Sequence, residues 1–187
     1  DRLGILDHRT LCAHGVWLER EEIELLAARG VKVSHNAESN MKLASGVASI
    51  PRMVAAGIII GLGTDGCASN NNLDLFGEMD CCAKLHKVAH LDPTLLPAHT
   101  VLKMATQNGA RALGLGDSIG ELSPGRCADC IVVDFDKPHL TPLYEPISHL
   151  VYAARGADVR HSIIHGRLVM EDRHILTLDV EEVMRHA

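Results

Sequence analysis

Ile58-Ile59-Ile60-Gly61-Leu62-Gly63-Thr64-Asp65-Gly66 is the stretch on which the fold turns. Residues 58–62 are apolar throughout, as in a strand covered on both faces, and an acid stands just past their end. Upstream, 47–56 reads as a helix stopped by Gly57, 36–46 as a polar loop, and Val31-Lys32-Val33-Ser34-His35 alternates like a strand. Before that, 19–29 carries Ile23, Leu26 and Ala27 at helical spacing with Gly30 as a stop, and 10–13 is a short apolar run ending at His14-Gly15. Downstream, Leu75, Met79, Cys82, Ala83 and His86 share one face of a helix reaching about residue 90, and 97–113 holds one or two more helices. Strand alternating with helix over short connections predicts a parallel α/β architecture. After Gly116 the texture changes. Residues 119–126 are turn-rich, 128–134 reads as a strand, 146–155 as a helix, 159–164 and 168–170 as a hairpin turning at His165-Gly166, and 180–187 as a closing helix. The expected division is 1–116 and 117–187.

The chain has 187 residues, enough for one domain or slightly more. Lys and Arg number 18 against 24 Asp and Glu, a net charge of −6, which argues against nucleic-acid or anionic-membrane partners. Hydrophobic residues at 47 % supply a sizeable core, and aromatics at 3 % leave little for base stacking. No apolar run approaches the roughly 20 residues of a membrane span. The opening Asp1-Arg2-Leu3-Gly4 has neither an initiator Met nor a signal-peptide pattern, as expected of a processed chain or a piece of a longer one. Six cysteines, with Cys81 and Cys82 adjacent, predict free thiols in a reducing compartment, the cytoplasm. Cys127-Ala-Asp-Cys130 matches C-x-x-C but has no second pair, so these cysteines read as small apolar residues entering a strand. Of twelve histidines, His86, His90, His99 and His186 read as solvated.

Three polar residues each end an apolar strand: His14, His35 and Asp65. At the carboxyl ends of parallel strands, side chains converge on a ligand. One such histidine is most often a satisfied structural residue; three ends in succession point to a site. Imidazole with carboxylate suits zinc or a similar ion, and a carboxylate near a metal-activated water can take its proton. Gly61, Gly63 and Gly66 also satisfy G-x-G-x-x-G, yet the Asn-rich 67–72 makes a loop where a dinucleotide site needs a helix start, and Asp65 would repel phosphate.

Three segments carry a resemblance. Cys12-Ala-His14-Gly-Val-Trp17, Ser34-His35-Asn-Ala-Glu-Ser-Asn40-Met-Lys-Leu-Ala-Ser-Gly46 and Gly61-Leu-Gly-Thr-Asp65-Gly-Cys-Ala-Ser69-Asn-Asn-Asn72 resemble the amidohydrolase superfamily, in particular its methylthioadenosine/S-adenosylhomocysteine deaminases and their triazine chlorohydrolase relatives. Residues 119–134 and Ile164-His-Gly166-Arg167 look like that group's small β-sandwich. The resemblance implies a partial TIM-type (β/α) barrel, strands six to eight, followed by a β-sandwich segment. It implies a divalent metal, zinc by preference, ligated by Asp65, which also takes a proton from water. His14 would stand beside the metal as a catalytic group, and His35 and Ser69 at the substrate rim. The substrate would be an adenosine-like nucleoside that is deaminated, or alternatively an s-triazine. The family's H-x-H pair and its strand-five His and Glu are not in the sequence. The chain is therefore expected to be a carboxyl-terminal part, inactive alone, which needs the missing amino-terminal part or a homo-oligomer. The contrasting expectation is a non-catalytic α/β piece that self-associates through open strand edges.

Overall fold

The computed structural model describes residues 2–187, so Asp1, with which the sequence opens, lies outside the described residues. Strands β1 (Leu11–Ala13), β2 (Lys32–His35) and β3 (Ile60–Leu62) form a three-stranded parallel sheet in that order, with Cys12 opposite Val33 and Val33 opposite Ile60. Helices α1 (Arg20–Ala28), α2 (Ala37–Lys42) and α3 (Ile50–Ala55) lie between these strands in the chain. Helices α4 (Leu75–His90), α5 (Ala98–Ala105) and α6 (Gln107–Ala112) follow β3. The parallel α/β reading thus holds for the first half.

The second half is antiparallel. β4 (Cys130–Val133), β5 (Val159–Ile164), β6 (Arg167–Glu171) and β7 (His174–Ile175) make a four-stranded sheet in chain order. Helix α7 (Pro146–Tyr152) leaves this sheet and packs on α4 and α5, while α8 (Val180–His186) closes the chain. Leu140, Val151 and Ala154 consequently share one core with Val33, Ile60 and Met104. Asp74 ties the halves at one point: it caps α4 by accepting from Phe76 N–H (2.9 Å) and also accepts from Gly156 N–H (2.8 Å). No described helix is long and apolar enough to cross a membrane.

Four expectations need correction. The polar stretch 36–46 is not all loop but contains α2, whose buried residues are Ala37, Ser39 and Asn40 and which has no apolar stripe to announce it. The helix expected over 47–56 begins only at Ile50, with Pro51 in its first turn, where a missing N–H costs nothing. The two-residue β7 was too short to show in the pattern. His86, expected in solvent, is fully buried on the same face of α4 as Met79, Cys82 and Ala83.

The turn-rich 119–126 has a steric reason for one glycine. Gly120 has φ +96°, and a Cβ there would lie 2.7 Å from the Ala110 Cβ and 3.1 Å from the Gln107 Cα. Gly120→Ala therefore combines backbone strain with a clash against α6, and is expected to cost about 1–3 kcal/mol in urea unfolding. An unchanged midpoint would show that this turn yields freely.

Candidate active site

β1 ends at Ala13, and the next residue, His14, has φ +65°; β3 ends at Leu62, and Asp65 three residues on has φ +63°. Left-handed backbone turns the chain sharply just past each strand. His and Asp are among the few non-glycine residues that tolerate it. The two side chains meet there, with His14 Nε2 3.8 Å from Asp65 Oδ2. Together with Val16, Trp17, Asn40, Leu43 and Ser45 they line an open cleft of about 310 Å³.

Each group is held by a neighbour that the sequence reading passed over. Ser39 Oγ donates to Asp65 Oδ2 (2.7 Å), and Gly66 N–H donates to Oδ1 (2.7 Å). The Ser39 hydroxyl first, then the Gly66 amide and the Ser69 hydroxyl, hold the Asp65 carboxyl below the usual carboxylate range, so it is ionised at neutral pH. His14 Nδ1 lies 2.8 Å from Asn40 Oδ1. The amide oxygen keeps the proton on Nδ1 and leaves Nε2 directed at the cleft, beyond hydrogen-bond range of Asp65 and open to a third group. Ser39 and Asn40 are adjacent on α2, so one short helix holds both the Asp65 and the His14 side chains. Their signal was the Ser-Asn pair just past β2, hidden because α2 is buried through polar contacts.

Of the four residues expected at the site, the structure brings together His14 and Asp65, with Ser69 on the loop beside Asp65, its Oγ 3.4 Å from Gly66 O. His35 is a correction. Its side chain is fully buried, Nε2 3.1 Å from His86 Nε2, and does not reach the cleft. The reason is strand parity: Val31, Val33 and His35 are all buried, whereas Lys32 and Ser34 between them are partly exposed.

His35, Cys82 and His86 lie close enough for their donor atoms to share an ion, all within 4.8 Å. Without an ion the cluster is neutral. Burial pushes the Cys82 thiol up to about 12, and lowers His35 to about 3 and His86 to about 4. One imidazole donates to the other through Nε2, and both Nδ1 atoms lack partners. An ion on the Nε2 atoms would leave two buried Nδ1–H donors equally unpaired.

Comparison with known proteins gives the chain a family. A match to the amidohydrolase family covers residues 1–169. The chain is 66 % identical to the 5-methylthioadenosine/S-adenosylhomocysteine deaminase of Syntrophobacter fumaroxidans, over 98 % of this chain and 42 % of that protein. Its fold matches the crystal structure of a zinc-bound adenosine deaminase from Xanthomonas campestris with TM-score 0.97 and 41 % identity, covering all of this chain and 42 % of the other. It also matches zinc-bound atrazine chlorohydrolase from Arthrobacter aurescens, TM-score 0.92 at 30 % identity, covering 99 % and 41 %. The chain thus spans about two-fifths of the length of each.

Proposed function

Because the chain belongs to the amidohydrolase family, we propose that it forms one side of the active site of a metal-dependent hydrolase that deaminates an adenosine-type nucleoside, of the methylthioadenosine or S-adenosylhomocysteine kind. One observation carries the reading: an ionised Asp65 and the free Nε2 of His14 face a common cleft from the ends of two strands. In this reading residues 1–116 supply three consecutive strands of a (β/α) barrel and 117–187 a β-sandwich segment. The outer strands of the parallel sheet, β1 and β3, each have one strand neighbour among the described residues, and their free edges are then paired by further barrel or by a second copy. Six free cysteines suit a cytoplasmic setting.

The donor set fits a divalent metal. Asp65 offers a carboxylate oxygen, a chemistry that zinc accepts, with the His14 imidazole beside it, and zinc is present in the similar deaminase and chlorohydrolase structures. Asp65 alone is fewer than the three protein ligands a catalytic zinc takes beside its water, so in this reading the other ligands are supplied by the rest of the site. When bound, zinc lowers the pKa of water towards neutrality and so makes hydroxide available. The chain's own groups do the rest. Asp65, the metal ligand, accepts the water's proton on its carboxylate, and Ser39 and Gly66 keep that carboxylate oriented. His14, its ring fixed by Asn40, would polarise the attacking water by accepting a hydrogen bond from it at the unprotonated Nε2. A bond forms from water oxygen to the ring carbon bearing the amino group. The proton held by Asp65 passes to the amino nitrogen, the carbon–nitrogen bond breaks and ammonia leaves, while the second water proton ends on the ring nitrogen as the new hydroxyl becomes a carbonyl. Ser69 is assigned to the substrate side of the loop.

The test is ammonia release by the zinc-loaded enzyme that contains this chain. Methylthioadenosine and S-adenosylhomocysteine are expected to yield one ammonia per nucleoside consumed. Chloride release from a chloro-s-triazine without ammonia from nucleosides would move the reading to the chlorohydrolases. Neither product, with zinc bound, would overturn it.

A further inference from the structure

The most buried acid of the fold lies outside the cleft and has no part in the steps above. Glu78 is fully buried on α4. Its Oε1 accepts from Asn70 Nδ2 (3.0 Å), and its Oε2 accepts from the Glu38 backbone N–H (3.3 Å), with the Ala37 amide close by. These partners belong to two different segments. Ala37 and Glu38 open α2, which presents Ser39 to Asp65 and Asn40 to His14; Asn70 lies in the Asn-rich loop that follows Asp65. Burying a carboxyl group is costly unless its oxygens are satisfied, and here the satisfying donors come from both sides of the cleft.

The two segments are joined again around this point. Glu38 Oε2 accepts from the side-chain amides of Asn70 (3.2 Å) and Asn72 (3.2 Å). At the other end of α2, Lys42 Nζ donates to Ala68 O (3.1 Å) and Asn71 Oδ1 (2.6 Å). The Lys42 and Asn72 contacts are exposed and the Asn70–Glu38 contact is part-buried, whereas the Asn70–Glu78 contact is buried. Exposed polar contacts contribute little and exchange with water, so the buried junction is the one able to fix geometry.

We propose that Glu78 is a positioning residue that locks α2 and the loop 66–72 into one block, and thereby sets how Asp65 and His14 face each other. This rests on the functional reading above for its catalytic consequence, but not for the block itself. Glu78→Gln keeps size and one acceptor while turning an amide NH₂ towards donors already present. It cannot satisfy both Asn70 and the α2 amides.

Two measurements test this. In the 187-residue chain, amide hydrogen exchange across 37–42 and 66–72 is expected to rise about tenfold or more in Glu78→Gln, and the Gly66 amide resonance to move, while β5 and β6 exchange as before. In the deaminating enzyme, kcat is expected to fall about 10- to 100-fold with KM within about twofold, and Glu78→Ala to fall further. Exchange unchanged in the two segments, or raised uniformly over the chain, overturns the proposal; so does a loss confined to KM. Should Glu78→Gln not fold, Asn70→Ala opens the same junction from the loop side and must show the same local exchange, or the proposal fails. If the unmodified enzyme releases no ammonia, the functional reading fails by itself, and the exchange result still decides the block.

Discussion

Asp65→Asn is expected to reduce deamination turnover by about a hundredfold or more, since it removes the proton acceptor and weakens a metal ligand at one stroke. The substitution keeps the shape of the side chain and suits the left-handed backbone at φ +63°, so the fold should persist. What changes is charge and donor pattern. The carboxylate accepts from Ser39 on one oxygen and from Gly66 on the other; an amide can accept on only one side and must present NH₂ to the second donor. Steady-state ammonia release and zinc content measured on the same preparation check it. Parental turnover with parental zinc in Asp65→Asn would remove Asp65 from the site.

Acid is expected to unfold the chain through its buried imidazoles. His35 and His86 have pKa values of about 3 and about 4 in the fold against 6.5 for the ordinary side chain, chiefly because burial penalises the charged ring. Unfolding below about pH 6.5 therefore takes up two protons. Glu78 opposes them: burial, then the nearby Glu38 charge, raise its carboxyl to about 7 from 4.5, so unfolding in the same range releases one proton. The net uptake is about one proton between roughly pH 6.5 and 4.5, which lowers stability by about 1.4 kcal/mol per pH unit, or about 3 kcal/mol across the window. Below about pH 4.5 Glu78 no longer opposes and the slope steepens until His86 protonates within the fold near pH 4. Against a typical total of about 5–15 kcal/mol this is a large loss. Urea unfolding at several pH values measures it, and His86→Gln should nearly flatten the upper part of the curve. A wild-type stability that stays level or rises from pH 7 to 5 would refute the neutral-pair description.

These residues also show what was legible in the sequence. The parallel sheet was, because 58–62 and 31–35 carry strand patterns between helical segments with glycine stops. His14 and Asp65 were, because each follows an apolar run that must end at the edge of the sheet. His35 looked equivalent to them and was not. Its alternation with Val31 and Val33 already assigned it to the buried side, and the count of strand ends outweighed that parity. Helix α2 was hidden for a different reason. Hydrophobic periodicity detects helices buried through apolar stripes, and α2 is buried through Ser39, Asn40 and the Glu38–Asn70 contacts, so its burial leaves no trace in hydropathy. Ser39 and Asn40, which hold the Asp65 and His14 side chains, were lost with it. The burial of His86 was open to inference, since it shares a helical face with Met79 and Cys82, but histidine type alone does not distinguish a core residue from a solvated one.

The left-handed backbone at His14 and Asp65 also constrains how such a protein can evolve. A codon change at either position that introduces valine, isoleucine or threonine meets a conformational barrier before any question of chemistry arises, because β-branched side chains do not tolerate this region. Asn, Asp, His and Gly remain accessible. Directed evolution towards new substrates would therefore find few viable variants at 14 and 65, and its productive library positions are the cleft walls at Val16, Trp17 and Leu43, whose side chains are partly or largely exposed and carry no such restriction.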